Sequence, residues 1–492
     1  MMNLKLIFLT LFLLLQFHSL QAQETAGTGN GIFSGLDALY KNPASVSGTG
    51  VYLDFQLFNA GVYFQNNYFY ISKDEYKFTR FFDKNPQFPK HGHDSSYLVY
   101  GTNNRGNKNA YINTHIALPS FLYTDGKFVI YLTTNNRFSA SMNNVPYHIA
   151  NFAYYGWSYK PQQKTRYISG NYRLDGLAWS EIGLGTSYII RDKRYDFLSA
   201  GISIKRLFGY AGFYYNNSYS DYEVISDDSL QVNHLTAKYG YALPLDYNNK
   251  DINVSPDILG YGWSADIGFI YKRKENTYSQ QYNRKACLQK GIKYKYSIGV
   301  SLLDIGRIKF TKKVRELSIK DKSTQWNDIN SFDFHSINSI DSVFLVRFYE
   351  HQPLPDRKKY FSIGLPSAVS IQFDYHFYKG LYFNITTFKS IPFAKQYVER
   401  LSLISLTPRY ESMFFEVNLP VTLYEHSPPQ IGLSLRIWNF IVGSDKISGF
   451  FSHQNFTGLD LYCSLKFTLF KSNCKPYIFR FHRKSPCEIV DF

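Results

Sequence analysis

The alternation of apolar and polar positions is clearest near the carboxyl terminus, between Gly458 and Phe470. Every second residue there is apolar, namely Leu459, Leu461, Cys463, Leu465, Phe467 and Leu469, and the residues between them are mostly polar. Successive side chains of a strand point to opposite faces, so this segment is oily on one side and wet on the other. About ten such residues, tilted, cross a bilayer. The pattern predicts a membrane-spanning strand.

The same two-residue rhythm recurs along most of the chain. It predicts an all-β fold, a transmembrane antiparallel barrel of about 14 strands within a range of about 12 to 16. A membrane sheet must close because the hydrocarbon core has no water for unpaired edges. The predicted strands are 51–71, 109–118, 127–138, 178–190, 197–207, 261–272, 294–310, 368–377, 381–388, 401–409, 414–423, 430–438, 440–445 and 459–470.

The connections support this count. An even number of strands returns both ends of the barrel to the periplasm. All but one of the long connections then fall on the extracellular side, at 72–108, 139–177, 208–260 and 311–367. Short turns fall on the periplasmic side, and only 273–293 is long there. A secreted sandwich or propeller, whose strands also alternate, is the alternative.

Polar residues occupy inward positions of the predicted barrel, including Asp374, Glu416, Arg436 and Lys466. They suit a wet lumen. A lumen of about 14 strands is wider than side chains alone can fill, so it must be plugged or it conducts.

The amino terminus resembles an export signal. Lys5 precedes the apolar run Leu6–Leu15, and Ala22 offers a small residue for cleavage. The alternative, a membrane anchor, is disfavoured because the run is too short for a spanning helix. We expect residues 1–22 to be removed and the protein to reach the outer membrane of a Gram-negative bacterium.

The composition fits this location. The chain of 492 residues has a net charge of +16, and 18% of it is aromatic. Aromatic girdles flank the apolar band of membrane barrels. The basic residues are scattered and the chain is exported, so nucleic acid is not expected as a partner. Outer-membrane lipid head groups or anionic solutes are the natural counter-charges.

Motifs for catalysis are lacking: the sequence has no GxSxG, HExxH or phosphate-binding loop. We therefore expect no enzyme, no catalytic residues and no cofactor, although a lipase built from scattered residues stays open. His91 and His93 suit a solvated loop better than a metal site. Gly27–Gly31 does not follow a strand or open a helix, which indicates a flexible linker.

The four cysteines are not spaced as zinc ligands, so no metal site is predicted. Cys463 takes an apolar, lipid-facing position. Cys474 and Cys487 both lie in the tail and can form a disulfide in an oxidising compartment; that pairing stays open.

Two segments resemble known families. Gly35–Val46, which contains Asn42, Pro43 and Ala44, resembles the Asn-Pro-Ala stretch of FadL-type fatty-acid transporters and of Bacteroidota barrels of the PorV and PorP/SprF types. Ile441–Asp445 and Gly458–Tyr462 resemble the closing strands of a Bacteroidota barrel family of unknown function. The resemblance covers most of residues 30–470. It implies that residues 23–50 fold inward as a hatch, with Asn42 and Pro43 fixing a turn; the alternative is a periplasmic lead-in peptide.

The carboxyl-terminal end departs from the usual pattern. Outer-membrane assembly machinery reads an aromatic-ended last strand, here the strand that contains Tyr462 and ends at Phe470. Residues 471–492 follow as an expected periplasmic tail, although Phe492 is an alternative signal. The chain thus divides into the signal 1–22, hatch 23–50, barrel 51–470 and tail 471–492. Two functions remain: a structural or assembly component of an envelope machine for secretion or gliding, with other envelope proteins as partners, or a FadL-like channel for a small hydrophobic or other solute.

Overall fold

The fold is known from a computed structural model, which describes residues 27–72, 99–102, 104–157, 159–247, 257–275, 291–327, 337–349, 358–425, 427–447 and 455–470. The predicted signal 1–22, the tail 471–492 with Cys474 and Cys487, and residues His91, His93 and Cys287 lie outside these ranges.

Strands dominate the described residues. They are β1 Val51–Asn66, β2 Phe69–Ile71, β3 Val99–Gly101, β4 Lys108–Ala117, β5 Ser120–Asp125, β6 Phe128–Val145, β7 Arg166–Ser169, β8 Tyr172–Asp192, β9 Asp196–Val224, β10 Ser229–Ala242, β11 Gly260–Lys274, β12 Tyr294–Phe310, β13 Arg315–Asn327, β14 Phe361–Gly364, β15 Ala368–Tyr378, β16 Leu381–Ser390, β17 Leu403–Glu411, β18 Phe415–Asn418, β19 Val421–Tyr424, β20 Gln430–Ile431, β21 Leu433–Ile437, β22 Phe440–Ser444 and β23 Gly458–Phe470. The helices are α1 Tyr147–Tyr155 and α2 Ile337–Tyr349, with 3₁₀ turns at Gly35–Tyr40 and Lys160–Gln162. Neither α-helix of the described part is long and apolar enough to cross a membrane.

The strands close into a transmembrane antiparallel barrel of fourteen strands, as predicted. The last strand pairs with the first from Val51↔Phe470 to Gln65↔Gly458. Five barrel strands are interrupted and consist of β4 with β5, β7 with β8, β14 with β15, β18 with β19, and β20 with β21. Three of the interruptions contain Pro119, Pro366 or Pro420, which lack the N–H that a ladder needs.

The outer face is apolar and exposed. On β8 and β9, for example, Ile182, Leu184, Ile202 and Ile204 point outward, whereas Ser187 and Ser199 point into the lumen and are fully buried. The same alternation holds on β23, where the predicted inward residues Asp460, Ser464 and Lys466 are buried. The side-chain pattern is that of a wall with lipid outside.

The two ends of the barrel differ. We call the end that carries Val51 and Phe470 the terminal end and the other the loop end. At the terminal end, β5 and β6, β15 and β16, and β21 and β22 are joined by turns of two residues. The turn at Gly126 has a φ of 57°, which suits glycine.

At the loop end, the predicted long loops 139–177, 208–260 and 311–367 are partly wrong, because they contain strands. β9 is 29 residues long, and its distal half pairs with β10 from Gly212↔Ala242 to Val224↔Leu230. β10 pairs in turn with β13. This sheet, which we call the extension, stands beyond the length that a bilayer needs. Tyr349 and Phe348 of α2 pack on it against Val232, Leu317 and Ile319.

The predicted strand 51–71 is also too long. β1 ends at Asn66 because that side chain accepts hydrogen bonds from the backbone N–H groups of Tyr68 and Phe69. This turn competes with the ladder, as Asn side chains commonly do.

Candidate functional site

Residues 27–50, which we call the N-terminal segment, lie inside the barrel. Leu36, Ala44 and Val46 are at most 1% exposed. The segment bonds to inward side chains from opposite parts of the wall: the N–H of Phe33 donates to Glu411 (3.1 Å), and Ser47 Oγ lies 2.7 Å from Ser187 Oγ. The segment therefore lies inside the terminal half of the lumen.

Asn42 anchors the segment to three strands. Its Nδ2 lies 3.1 Å from the carbonyl oxygen of Phe269, 3.3 Å from that of Val300 and 3.0 Å from Gln372 Oε1. Its Oδ1 accepts the N–H of Ala44 at 2.9 Å, so the side chain also closes the local turn. The carbonyl oxygen of Ala44 accepts the hydroxyl of Ser199 at 3.1 Å. The predicted motif Asn42, Pro43 and Ala44 thus lies against the wall, in contact with it.

The wall makes room for this motif with glycines on adjacent strands. Gly201 and Gly268 are directly paired across β9 and β11, and Gly299 lies on β12 beside them. A Cβ atom at Gly201 would collide with Pro43, and one at Gly268 would collide with Asn42 Oδ1. The absence of a side chain is what allows this close approach.

A buried ion pair fixes the 3₁₀ turn of the segment. Lys466 Nζ lies 2.7 Å from Asp37 Oδ2, and both side chains are at most 4% exposed. Asp37 Oδ1 also accepts Gln56 Nε2 at 2.8 Å and Asn59 Nδ2 at 3.1 Å. The N–H of Leu36 donates to Asp54 at 2.9 Å. These partners come from β1 and β23, the pair of strands that closes the barrel.

A cavity of about 60 Å³ lies next to the segment, between Tyr40 and the wall. It is lined by three cations, Arg137, Lys205 and Arg400, and three carboxylates, Glu181, Asp266 and Asp304. We call these six residues the charged cluster. A space of this size holds a few water molecules.

Asp304 is the centre of the charged cluster. Its carboxylate lies 2.9 Å from Arg137 Nη1, 2.8 Å from Lys205 Nζ and 3.4 Å from Arg400 Nη1. Lys205 also pairs with Asp266 at 2.7 Å, and Arg137 with Glu181 at 3.6 Å. The three cations match the three carboxylates in number, so the cluster carries no net charge when all six groups are ionised.

A β-bulge directs Asp304 into the lumen. The register between β11 and β12 shifts between Ala265 and Ile267, and Asp304 has a φ of 54°, an uncommon value for a residue other than glycine. Its N–H donates to Asp266 Oδ1 at 2.7 Å, and its carbonyl accepts Ser367 Oγ at 2.6 Å. Bulges commonly re-aim a side chain in this way.

Residues 391–402, which connect β16 to β17 at the loop end, fold back into the lumen. Tyr397 forms a parallel bridge with Gly364, and its carbonyl accepts Arg173 Nη2 at 2.7 Å. The N–H of Glu399 donates to Ser141 Oγ at 3.0 Å. This inward loop brings Arg400 to Asp304 and covers the cavity.

Beyond the charged cluster, an apolar core lies at the loop end. Twelve buried residues form it: Leu177, Trp179, Leu207, Tyr214, Ala242, Leu259, Ile308, Phe310, Phe361, Ile363, Leu365 and Val398. Val398 belongs to the inward loop, so the loop and the wall share one core. We call it the loop-end core.

A second cavity, of about 50 Å³, lies on the other side of the N-terminal segment. Lys41, Asn42, Lys272 and Asp374 are among its lining residues. Beside it, Arg409 pairs with Asp374 at 3.1 Å and with Glu411 at 3.2 Å. Arg436 pairs with Glu416 at 3.0 Å. The residues expected to line a wet lumen are therefore inward-facing, but they are paired and buried around the segment.

Cavities lined in this way suit water and small polar groups better than apolar ones, because placing ionised side chains against an apolar solute removes their hydration. Among the described residues, no group of three or more His, Cys, Asp or Glu side chains is placed to hold a metal ion. The charged cluster, the inward loop and the bulge were not predicted from the sequence. The only sequence signal for the charged cluster is that Arg137, Glu181 and Asp266 occupy inward-facing positions of their strands.

The other candidate residues are placed as follows. Tyr462 points inward and donates its hydroxyl to Asp445 at 3.1 Å. Phe470 ends β23 and packs edge-on against Phe33 of the N-terminal segment, with ring centroids 5.5 Å apart. Their role as an assembly signal stays a prediction. Cys463 is a free, half-buried cysteine on the outer face.

Several solved barrels are similar to this chain. The toluene transporter TbuX of Ralstonia pickettii is 10% identical, with 92% of this chain and 99% of that chain covered and a TM-score of 0.36. The toluene transporter TodX of Pseudomonas putida is 10% identical, with coverages of 89% and 95% and a TM-score of 0.31. A FadL homologue of Pseudomonas aeruginosa is 8% identical, with coverages of 92% and 98% and a TM-score of 0.22. These likenesses are too distant to support an inference about function.

Comparison with curated protein sequences finds no match. The profile of a family described as "Family of unknown function (DUF5723)" matches residues 43–445. That range covers the Asn-Pro-Ala motif's Pro43 and Ala44, the bulge at Asp304 and most of the barrel strands. Because the match extends over most of the 492 residues, the chain belongs to the DUF5723 family.

Proposed function

We propose that this protein is a sealed outer-membrane barrel of a Gram-negative bacterium that serves as a structural or assembly component of a cell-envelope machine. The terminal end then faces the periplasm, and the loop end, with the extension, faces outward. The observation that carries the proposal is the filled lumen. The N-terminal segment acts as its plug, and the cavities beside it hold about 60 and 50 Å³.

The extension supports a role in contacts with other envelope proteins. It is held by its own small core and by α2, so it is an ordered surface and not a mere connection. Its β9 segment also pairs with β7, from Arg166↔Glu223 to Ser169↔Ser220. This part of the sheet exposes apolar side chains above the membrane band, including Ile168 of β7 at 61% and Tyr219 of β9 at 41%. Exposed apolar side chains on an ordered surface commonly mark protein contacts.

Site-specific photo-cross-linking in native membranes tests this role. A photoreactive phenylalanine analogue at Ile168 should cross-link to a protein of the envelope. The same analogue at Leu184, which is 62% exposed but lies in the lipid-facing band of β8, is the matched control and should cross-link to lipid. The proposal fails if the probe at Ile168 yields no more protein adducts than the probe at Leu184. If the tail also binds a partner, deleting residues 471–492 should lower the yield of protein adducts from the probe at Ile168.

A channel for a small solute is the second candidate. It is favoured by one observation: Asn42, Asp37 and Phe33 hold the segment through polar contacts, which water can replace when the segment moves. Planar-bilayer recordings separate the two functions. The sealed barrel should give no conductance steps, whereas a channel should open in the unmodified protein. A variant that lacks residues 27–46 and has the inward loop shortened shows that the preparation inserts, because it should conduct.

A further inference from the structure

Aromatic residues mark the two edges of the lipid-facing band on β11. Tyr271 points outward near the terminal end, and Trp263 and Tyr261 point outward near the loop end, 59% and 43% exposed. Ile267 and Phe269 lie between them on the same face. The interval from Tyr261 to Tyr271 matches the length of a tilted membrane strand. These rings therefore sit at the depth of the lipid head groups.

Three cations lie among the rings at the loop end. Trp263 is paired with Arg206 of β9 on one side and with Arg307 of β12 on the other, and Tyr261 is paired with Lys309. Strand spacing puts Arg206 and Arg307 about 10 Å apart, and Arg307 about 7 Å from Lys309. The Arg206 guanidinium lies over Trp263 at 4.9 Å, and Lys309 Nζ lies over the ring of Tyr360 at 4.0 Å. We call Arg206, Arg307 and Lys309 the basic triad.

Within the part of the chain that the structure describes, the basic triad has no counter-charge. None of the three side chains forms an ion pair with a carboxylate of the described residues. The girdle at the other end is different, because Arg273 there lies 2.8 Å from Asp196, which also accepts the hydroxyl of Tyr271 at 2.8 Å. The cation at the terminal end of β11 is thus paired with a carboxylate, whereas the basic triad has no such pair among the described residues.

We propose that the basic triad binds the phosphate head group of a membrane lipid in the leaflet at the loop end. Three like charges at a low-dielectric boundary repel one another until an anion joins them. The head-group depth supplies phosphate, with which an arginine can form paired hydrogen bonds. Trp263 and Tyr360 lie beside the triad, where they pack against the glycerol and the first methylenes of the acyl chains.

Native mass spectrometry of the purified full chain in a neutral detergent tests this site. The probes are dioleoyl phosphatidic acid and dioleoylglycerol, which share their acyl chains and differ in the phosphate. The unmodified protein should bind phosphatidic acid about ten-fold more tightly than dioleoylglycerol, since each surface cation adds to the attraction of an anionic lipid. The triple variant R206Q/R307Q/K309Q should lower that ratio to about one.

The matched control is K127Q/K193Q/K379Q, which removes the same number of charges from exposed turns at the terminal end. It should keep the ten-fold preference. Heat-modifiable migration on gels reports whether each variant is folded. Should the triple variant not fold, R307Q, whose side chain forms no ion pair or ring contact with the described residues, should still lower the preference about two-fold, as expected for one of three similar cations.

Three outcomes overturn the proposal. In the first, the triple variant keeps the preference for phosphatidic acid. In the second, the control variant loses the preference equally, which would indicate an effect of net charge alone. The third is displacement of phosphatidic acid by an excess of inorganic phosphate, which would indicate a site for the free anion and not for a lipid. Retained binding in that excess, together with loss in the triple variant, supports the lipid site.

Discussion

Replacing Asn42 with alanine tests how the N-terminal segment is held in the lumen. The amide of Asn42 supplies two N–H donors, which face the carbonyl oxygens of Phe269 and Val300 and the Gln372 side chain, and one acceptor for Ala44. Asn42→Ala removes three hydrogen bonds and leaves their partners buried. Each neutral hydrogen bond contributes about 1 kcal/mol.

The expected loss is therefore about 2 to 3 kcal/mol of docking free energy. At about 1.4 kcal/mol per factor of ten, the undocked population rises about 30- to 150-fold. The barrel itself should stay intact, because Asn42 belongs to no strand of the wall. The effect is local to the segment.

Hydrogen–deuterium exchange measured by mass spectrometry reads this change directly. Peptides that cover residues 33–46 should exchange about 30- to 150-fold faster in Asn42→Ala than in the unmodified protein, while peptides from β8 and β9 keep their rates. Asn143→Ala is the matched control, since Asn143 is also a buried inward asparagine but accepts a hydrogen bond from Tyr111 and none from the segment.

The reasoning is refuted if exchange of residues 33–46 in Asn42→Ala stays within about three-fold of the unmodified protein. It is also refuted if Asn143→Ala accelerates the segment as much. In the first case the segment would be held by its apolar contacts, such as Leu36 and Val46.

Three further outcomes follow from the same geometry. Gly268→Ala should accelerate exchange of the segment because its Cβ collides with Asn42, whereas Gly170→Ala, whose Cβ meets no atom within 4 Å, should not. Lys466→Met leaves the Asp37 carboxylate buried without its cation and should lower the free energy of unfolding in urea by about 3 to 5 kcal/mol. Adding Asp37→Asn should recover part of this loss, and a double variant that recovers none would contradict the pairing. Burial lowers the pKa of His148 in α1 to about 4. Because this folded-state pKa lies below the ordinary value of about 6.5, the stabilisation is present above pH 6.5 and is lost as the pH falls towards 4. The protection factors of the α1 amides, which correct for the pH dependence of intrinsic exchange, should then fall over that window, and His148→Gln should abolish this fall.

The barrel could be predicted because its signal is local. Each barrel strand has lipid on one side and the polar lumen on the other, so its side chains alternate between apolar and polar. The thirteen residues of β23 are enough to show this pattern. The strand count followed from that rhythm. The strand count remained correct even though Pro119, Pro366 and Pro420 interrupt strands, because the chain keeps its direction across each interruption and both parts pair with the same neighbouring strand.

The extension could not be predicted by the same rule. The distal half of β9 lies beyond the lipid-facing band and loses the alternation that lipid imposes, since the adjacent residues Ser220 and Asp221 are both buried there. The run Tyr219, Ser220, Asp221 and Tyr222, for example, shows no two-residue alternation of apolar and polar side chains. These residues were therefore expected to form loops, although they form a continuous sheet.

The charged cluster lay beyond sequence for another reason. Arg137, Asp304 and Arg400 are separated by 167 and 96 residues along the chain. Their inward direction follows from strand parity, but their meeting depends on register, on the bulge at Asp304 and on the inward loop. None of these three has a local pattern. The Asn-Pro-Ala motif was found through resemblance, and the glycines that receive it became meaningful only as neighbours across strands.

Under the proposed function the lumen is closed at both ends, and the two closures have different chemistry, which determines how the barrel can open. Around the N-terminal segment the contacts are hydrogen bonds and ion pairs, for which water is a substitute partner. The loop-end core is aliphatic and aromatic, so exposing Phe310 or Trp179 to water is unfavourable, and no hydrogen bond to water compensates for it. Movement should therefore begin at the segment, whereas opening the loop end needs a ligand or partner that replaces the core. A lone loss of the segment's anchor should loosen the plug without creating a conducting pore.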